Sequence, residues 1–269
     1  MAAFPLDAFL ASLPWVALGL VALLAGTFAV AVRQHRHSVI DTVWGLGFVV
    51  AVALSWALSA GHGDAGRRLL LLALVAVWGI RLAIHIGLRA RGGHEDPRYV
   101  EMLSSAPGSR NTYALRRVYL PQGIVMFFVS LTIQVGMFSS GPLGWLALLG
   151  VLLWLVGFVF ETVGDWQLAR FKADPAKRGT VLNTGLWRYT RHPNYFGDAA
   201  VWAGLFLVAA DSWPGVLTIL SPALMIWTLA GKTGKPLTEK AMSARPGYKE
   251  YVESTSGFLP WPPRRPAGR

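Results

Sequence analysis

The stretch with the densest chemistry is Gly185-Leu186-Trp187-Arg188-Tyr189-Thr190-Arg191-His192-Pro193-Asn194-Tyr195-Phe196-Gly197-Asp198. Pro193 suits the first position of a helix, where no backbone N–H is required. The free N–H groups and the positive dipole end of that helix make an anion site. Arg191 and His192 stand just before it, and Arg188 adds a second guanidinium. Asn194 and Asp198 lie one turn apart, with Tyr195 beside them. An amide, a carboxylate and a phenol suit an amide- or ribose-bearing ligand, and the guanidinium pair suits its phosphates. A basic membrane anchor followed by a capped helix accounts for the cations alone. It does not require Asn, Tyr and Asp on the apolar helix that follows.

A second set of residues has the chemistry for proton transfer. Arg81 and His85 are four apart and share a helix face, as do Glu161 and Asp165, while Asp41 opens an apolar run. Each is costly at membrane depth, by roughly 2.5–3.5 kcal/mol for a charge at mid-bilayer. Pairing of Arg81 with Asp41 or Glu161 to fix helix register, or snorkelling to the interface, is the plain alternative to a polar cavity. Downstream, Leu237–Tyr251 reads as a short charged helix, a turn at Pro246-Gly247, and Tyr248 and Tyr251 three apart. Tyrosines at headgroup depth on an interfacial segment would look the same.

These residues need a scaffold, and composition says which. Of 269 residues 54% are apolar and only 14% charged, against about 25% charged in a soluble domain. The chain has no Cys, which excludes disulfides, thiolate metal sites and cysteine nucleophiles. Its six His never pair with a carboxylate in a metalloprotease pattern, so no metal is expected. The net charge of +11 is scattered in clusters between apolar runs, a membrane pattern rather than a nucleic-acid surface. Crossing a bilayer as helix takes about 20 residues, which predicts seven spans near 12–32, 43–60, 67–88, 118–138, 142–163, 195–210 and 212–231. The expected fold is therefore an all-α polytopic membrane bundle, one domain over 1–260 with a disordered basic tail at 261–269. Twenty-two Lys and Arg fall on one side of that plan and only Arg67 and Arg68 on the other, with Arg81 in a span. The N-terminus is expected outside, and the C-terminus and long loops in the cytoplasm, across the cell inner membrane.

The motif at 185–198, with Arg245-Pro246-Gly247-Tyr248-Lys249-Glu250-Tyr251, resembles the steroid 5α-reductase superfamily, and is similar above all to its bacterial branch with the 3-oxo-5α-steroid 4-dehydrogenase C-terminal fold. Asp41…Trp44-Gly45, Glu95-Asp96-Pro97-Arg98-Tyr99, Gln122-Gly123 and Glu161…Asp165…Gln167 extend the resemblance over roughly 38–260. Sterol C14 reductases share the Arg-His-Pro-Asn-Tyr-x-Gly-Asp pattern. The resemblance implies a multi-span reductase that takes hydride from NADPH, bound from the cytosol, to a carbon–carbon double bond of a steroid-like or other lipid. It implies cofactor contacts at Asp165, Lys172, Arg188, Tyr189, Arg191, His192, Asn194, Tyr195, Asp198, Arg245, Tyr248 and Tyr251. Asp165 and Lys172 match by spacing only, and the animal enzymes carry Gly-Ala-Asn-Phe where this chain has His-Pro-Asn-Tyr. Those enzymes also place a Glu early in the second span and a Tyr in the third. Here Asp41 stands for the Glu, and Arg81 or His85 for the Tyr.

The expected chemistry is reduction of an alkene conjugated to a carbonyl, with His85 or Arg81 as proton donor and Asp41 orienting them. The partners are a lipid substrate and membrane lipids; no nucleic acid and no obligatory protein partner are expected. The rival is methyl transfer from S-adenosylmethionine, as in the more distantly related isoprenylcysteine carboxyl and phospholipid methyltransferases. Those enzymes follow an Arg-His-Pro-x-Tyr motif with an Arg-x-x-x-Glu-Glu segment, where this chain has Gly234-Lys235-Pro236-Leu237-Thr238-Glu239-Lys240.

Overall fold

The structure is a computed structural model, and it describes residues 3–264 apart from Gly93 and Thr233. Every regular element among the described residues is helical. In chain order they are α1 (Leu6–Gln34), α2 (Val39–Leu58), α3 (Ala65–Arg89), α4 (Pro97–Ser104), α5 (Arg110–Ala114), α6 (Leu120–Phe138), α7 (Trp145–Ala173), α8 (Pro193–Ala210), α9 (Trp213–Val216), α10 (Leu220–Trp227), α11 (Lys235–Met242) and α12 (Tyr248–Ser254). A π-helical turn, Leu115–Tyr119, joins α5 to α6, and another, Thr228–Lys232, follows α10.

Six stretches among the described residues are long and apolar enough to cross a membrane: Leu6–Gln34, Val39–Leu58, Ala65–Gly92, Arg110–Phe138, Trp145–Ala173 and Trp213–Met242. This is a multi-pass membrane architecture. The sixth expected span, 195–210, is helical as α8 but is not among these six stretches, because α8 begins Pro-Asn-Tyr-Phe-Gly-Asp. Trp213-Pro214-Gly215 lies in the helical turn α9.

Helix starts follow local chemistry. Asp64 caps α3 by accepting from Arg67 N at 2.8 Å, and Asp96 caps α4, with Pro97 at the first helical position. His35 ends α1 in the left-handed conformation, φ 54°.

The chain divides into two compact units. The first comprises residues 1–147 and 208–221, the second 148–207 and 222–269. In the first, α2 packs on α1 and α3, and α6 packs on all three. Gly45 and Gly79 bring α2 and α3 backbone to backbone: a Cβ on Gly79 would lie 2.6 Å from Gly45 O. In the second unit α7 and α8 meet the same way at two levels. A Cβ on Gly157 would lie 2.5 Å from Gly197 O, and one on Gly204 would lie 2.5 Å from Gly150 O. Close approach at small residues is how helices associate where lipid removes the hydrophobic drive.

Arg67 is the deepest charge of the first unit, fully buried. It donates to the carbonyls of Val208, Gly141 (2.9 Å) and Pro142 (3.2 Å) and pairs with Asp211 at 3.1 Å. Asp211 also accepts from Gly144 N at 2.7 Å. Arg67 is thus an internal tie rather than a loop charge.

In the segment expected as a tail, Trp261 N donates to Tyr189 O and Arg264 N to Ser254 O, both at 2.9 Å. Residues 265–269 lie outside the described residues.

Candidate functional site

In the second unit the motif at 185–198 is held by its neighbours in sequence order. The end of α7 receives the loop first: Gln167 Oε1 accepts from Leu186 N at 3.0 Å, and Trp187 Nε1 donates to Gly164 O at 3.1 Å. Gly185 permits this with φ 61°, and a side chain there would strike Gln167. Pro193 then opens α8. One residue on, Asn194 Nδ2 donates to Asp165 Oδ1 at 3.1 Å, so two residues matched from separate helices share one contact. Asp165, Glu161 and Asp198 are all buried.

Arg191 does not reach out from the motif; it is engaged inward. Its Nε and Nη2 meet Glu239 Oε1 at 3.0 and 2.9 Å, and Nη1 donates to Thr255 O at 2.6 Å and Val252 O at 3.2 Å. His192, also buried, places Nε2 3.2 Å from the same Glu239 oxygen. A carboxylate accepts only, so the proton of the neutral ring belongs on Nε2. Burial pushes the His192 pKa down to about 4, against the pull of Glu239. Tyr195 stacks on His192 with ring centroids 5.3 Å apart, and its hydroxyl lies 3.2 Å from Thr238 Oγ1. Thr238 and Glu239 both belong to α11, so this short helix covers the motif's ring and guanidinium.

Tyr251 is also inward: its OH donates to Trp187 O at 2.6 Å, and burial raises its pKa. Tyr248 lies 6.3 Å from it, centroid to centroid, and Gly247 turns the chain between α11 and α12 with φ 78°. Arg245 is exposed and donates to Thr180 O at 3.2 Å. Arg188, Tyr189 and Lys172 are exposed. The twelve expected ligand contacts thus separate into solvent-facing groups (Lys172, Arg188, Tyr189, Arg245), a frame (Arg191, His192, Tyr195, Tyr248, Tyr251) and a polar cluster at the head of α8 (Asp165, Asn194, Asp198). Glu239 and Thr238, which organise that frame, were absent from the sequence-derived set. A threonine and a carboxylate about one turn into a helix that opens at Lys235-Pro236 are their only local signal.

The first unit contains the residues expected to handle protons. His85 and Arg81 lie half-buried on α3. Asp41 is held by two residues of the Glu95–Tyr99 motif, to which the sequence assigned no role: Tyr99 OH donates to Oδ1 at 2.6 Å and Arg98 Nη2 to Oδ2 at 3.1 Å. Burial, and then the Asp41 charge, raise the Tyr99 pKa far above that of a free phenol. Arg98 is itself clamped by Asp96 at 3.0 Å. Glu95 accepts the backbone N–H groups of His37 (2.6 Å) and Ser38 (2.8 Å), fixing the turn into α2. Burial would raise the Glu95 pKa, but these hydrogen bonds outweigh it and the pKa is lowered. The Glu95–Tyr99 stretch is therefore one polar clasp on the start of α2.

Comparison with known proteins was informative at the level of the family. An uncharacterized protein of Schizosaccharomyces pombe is 25% identical over 272 residues, covering 87% of this chain and 75% of that protein. The 3-oxo-5-alpha-steroid 4-dehydrogenase 1 of Mus musculus is 27% identical over 114 residues, 42% of each chain. No solved structure gives a significant match. The family described as "Protein of unknown function (DUF1295)" matches residues 27–255, most of both units, and the chain belongs to it.

Proposed function

We propose that this protein is a membrane oxidoreductase that reduces a carbon–carbon double bond of a steroid-like or other lipid with hydride from NADPH. The carrying observation is the similarity to a steroid dehydrogenase, joined to the Asn194–Asp165 contact at the head of α8. The donor set suits such a cofactor. Thr162 Oγ1, one turn before Asp165, is buried with no hydrogen-bond partner, as is Trp154 Nε1. Orphaned buried polar atoms cost roughly 1–3 kcal/mol each, and a ligand rich in hydroxyls and carbonyls relieves that cost.

In this reading NADPH supplies the hydride when bound. Arg188, Lys172 and Arg245 offer exposed cations to its phosphates. Asn194, with Asp165 and Asp198, offers an amide and carboxylates to its ribose and carboxamide groups. Arg191, His192, Tyr195, Tyr248 and Tyr251 hold the frame that presents them. For the proton, the residue types and spacing suggest His85 or Arg81, and the Tyr99 phenol, held by Asp41, is a further donor. The asymmetry of basic residues supports a cytoplasmic face for these loops. The named relative is a dehydrogenase, and nothing favours methyl transfer over it.

The test is thermal melting of the detergent-purified protein with NADPH and, separately, with S-adenosylmethionine. A ligand at 100 times its Kd adds ~2.7 kcal/mol of stability. A shift with NADPH that Asn194→Ala abolishes supports the reading; a shift with S-adenosylmethionine alone discards it.

A further inference from the structure

The helix α11 is held differently from its neighbours in the second unit. None of its residues is buried, whereas α12 buries Tyr248 and Tyr251, and α8 buries Trp202 and Leu205 completely. What fastens α11 is polar and local. Glu239 Oε1 meets Arg191 Nε and Nη2 at 3.0 and 2.9 Å and His192 Nε2 at 3.2 Å. Thr238 Oγ1 donates to Gly234 O at 3.0 Å, so it accepts from the Tyr195 hydroxyl 3.2 Å away. Elements with little buried apolar surface are the first to open. Both ends of α11 are glycine turns. Gly234 N donates to Thr228 O at 3.2 Å across the π-helical turn, and no side chain caps the helix. Gly247 has φ 78° and open space where a side chain would lie. Such element-terminal positions absorb the backbone rotation of a hinge.

The two sides of the Glu239 tie are not equally fixed. Arg191 keeps Thr255 O and Val252 O through Nη1, and its backbone N–H donates to Ser256 O at 2.9 Å, all outside α11. A shallow cavity of about 220 Å³, lined by Arg191 and Arg264 among others, opens water to its flank. Lys235, at the start of α11, stands close to the same guanidinium: a Cβ on Gly257 would lie 2.8 Å from Lys235 Nζ and 3.1 Å from Arg191 Nη2. Like charges repel, and Glu239 is the carboxylate that offsets them. Without it α11 is pushed off a guanidinium that stays where it is.

We propose that α11 is a lid over the head of α8, closed in this structure, that swings about Gly234 and Gly247 when Glu239 leaves Arg191. Glu239 is the latch and Arg191 the fixed post. The lid sets how fast a ligand enters and leaves, not how tightly it is held. This rests on the reading that NADPH binds at Asn194, Asp165 and Asp198; the opening of α11 itself does not.

The test follows amide hydrogen exchange by mass spectrometry on the purified full chain, together with the rates of NADPH association and dissociation. Wild type, Glu239→Gln and Thr238→Val are compared. Glu239→Gln keeps the shape and removes the latch charge; Thr238→Val removes the neutral tie and should act in the same direction, more weakly. In wild type, residues 235–243 should exchange faster than 193–210 and 248–254. Glu239→Gln should speed exchange in 235–243 roughly tenfold and leave the other two segments unchanged. Both NADPH rates should rise several-fold together, with Kd altered less than threefold. Exchange that rises across all three segments, or in none, overturns the lid, because α11 is then an ordinary part of the frame. Faster exchange in 235–243 with unchanged NADPH rates overturns its control of access. If NADPH does not bind wild type, the reductase reading fails separately, and the exchange pattern alone upholds or overturns the opening of α11.

Discussion

Two arginines, one in each unit, are built on the same plan and serve different ends. Arg67 and Arg191 each join one carboxylate to backbone carbonyls far away in sequence: Asp211, Val208, Gly141 and Pro142 for the first, Glu239, Val252 and Thr255 for the second. The Arg67 side chain is 0% exposed and its Asp211 partner 6%, with Gly144 N holding the same carboxylate from behind. The Arg191 side chain is 10% exposed and Glu239 25%; Glu239 sits on the short helix α11 and divides one oxygen between Arg191 and His192. A sealed pair has no alternative partner, whereas a pair beside an open cavity, further cations and a titrating ring can exchange its anion. On the proposed function, the difference separates a knot that only holds the fold from one that holds a ligand-facing frame.

The comparison breaks first if Arg67 proves dispensable. Arg67→Met leaves Asp211 charged and buried, and removing one partner of a buried pair costs about 3–5 kcal/mol. Thermal melting in detergent should show a loss larger than for any Arg191 variant. The double substitution Arg67→Met with Asp211→Leu should recover part of it, because no carboxylate then stays stranded. Equal losses in the single and double variants would mean that the carbonyl contacts, not the ion pair, carry the effect.

A pH titration separates the two ties next. His192 belongs to the Arg191 network, and its folded pKa of about 4 lies below the ~6.5 of an unfolded histidine. Between those values the unfolded chain binds more protons, so stability rises with pH through that window and is lost as pH falls from about 6.5 to about 4. The shift corresponds to about 3 kcal/mol at most. His192→Phe should flatten this part of the profile, while the double substitution Arg67→Met with Asp211→Leu, which leaves no stranded carboxylate to titrate, should leave its shape unchanged.

Arg191→Met should cost about 2 kcal/mol, a charged hydrogen-bond cluster at partial exposure. It should also loosen residues 235–258 to limited proteolysis, since α11 and the segment after α12 hang on that guanidinium. Arg191→Lys keeps the charge without the planar fork that reaches both Glu239 and two carbonyls. It should restore less than half of the loss.

What could be read in advance follows the range of the interactions. Apolar runs of about 20 residues announce six crossing helices, Pro193 announces α8, and Pro246-Gly247 announces the turn before α12, because each is local chemistry. Asn194 and Asp165 were each singled out, but as ligand contacts implied by the resemblance; their contact with each other was not read. The role of Arg67 was not, because its partners at 141, 142, 208 and 211 are distant in sequence and three of the four contacts are to backbone carbonyls, which any residue supplies. Asp41 was expected to orient Arg81 or His85; that the clasp from Glu95–Tyr99 brings Tyr99 and Arg98 to it was not read. Loop residues that return to a helix start leave no periodicity to read. Glu239 was weighed only as evidence against methyl transfer, since its partners are 47 and 48 residues back in the chain.

The smallest effect sharpens the assignment of frame against ligand contact. Tyr251 OH donates to Trp187 O at 2.6 Å while buried, so Tyr251→Phe loses one hydrogen bond and leaves one carbonyl under-satisfied, about 1 kcal/mol. If Tyr251 acts only as frame, the variant melts slightly lower and its NADPH affinity, extrapolated to full folding, is unchanged. If its hydroxyl turns to the cofactor on binding, affinity falls several-fold with no larger stability loss. Arg245→Ala gives the opposite pattern: its guanidinium is exposed and makes a single long contact to Thr180 O, so melting stays within about 0.5 kcal/mol while NADPH affinity drops. Finding both variants shifted in the same property would erase the division between an inward frame and an outward ligand face that sets Arg191 apart from Arg67.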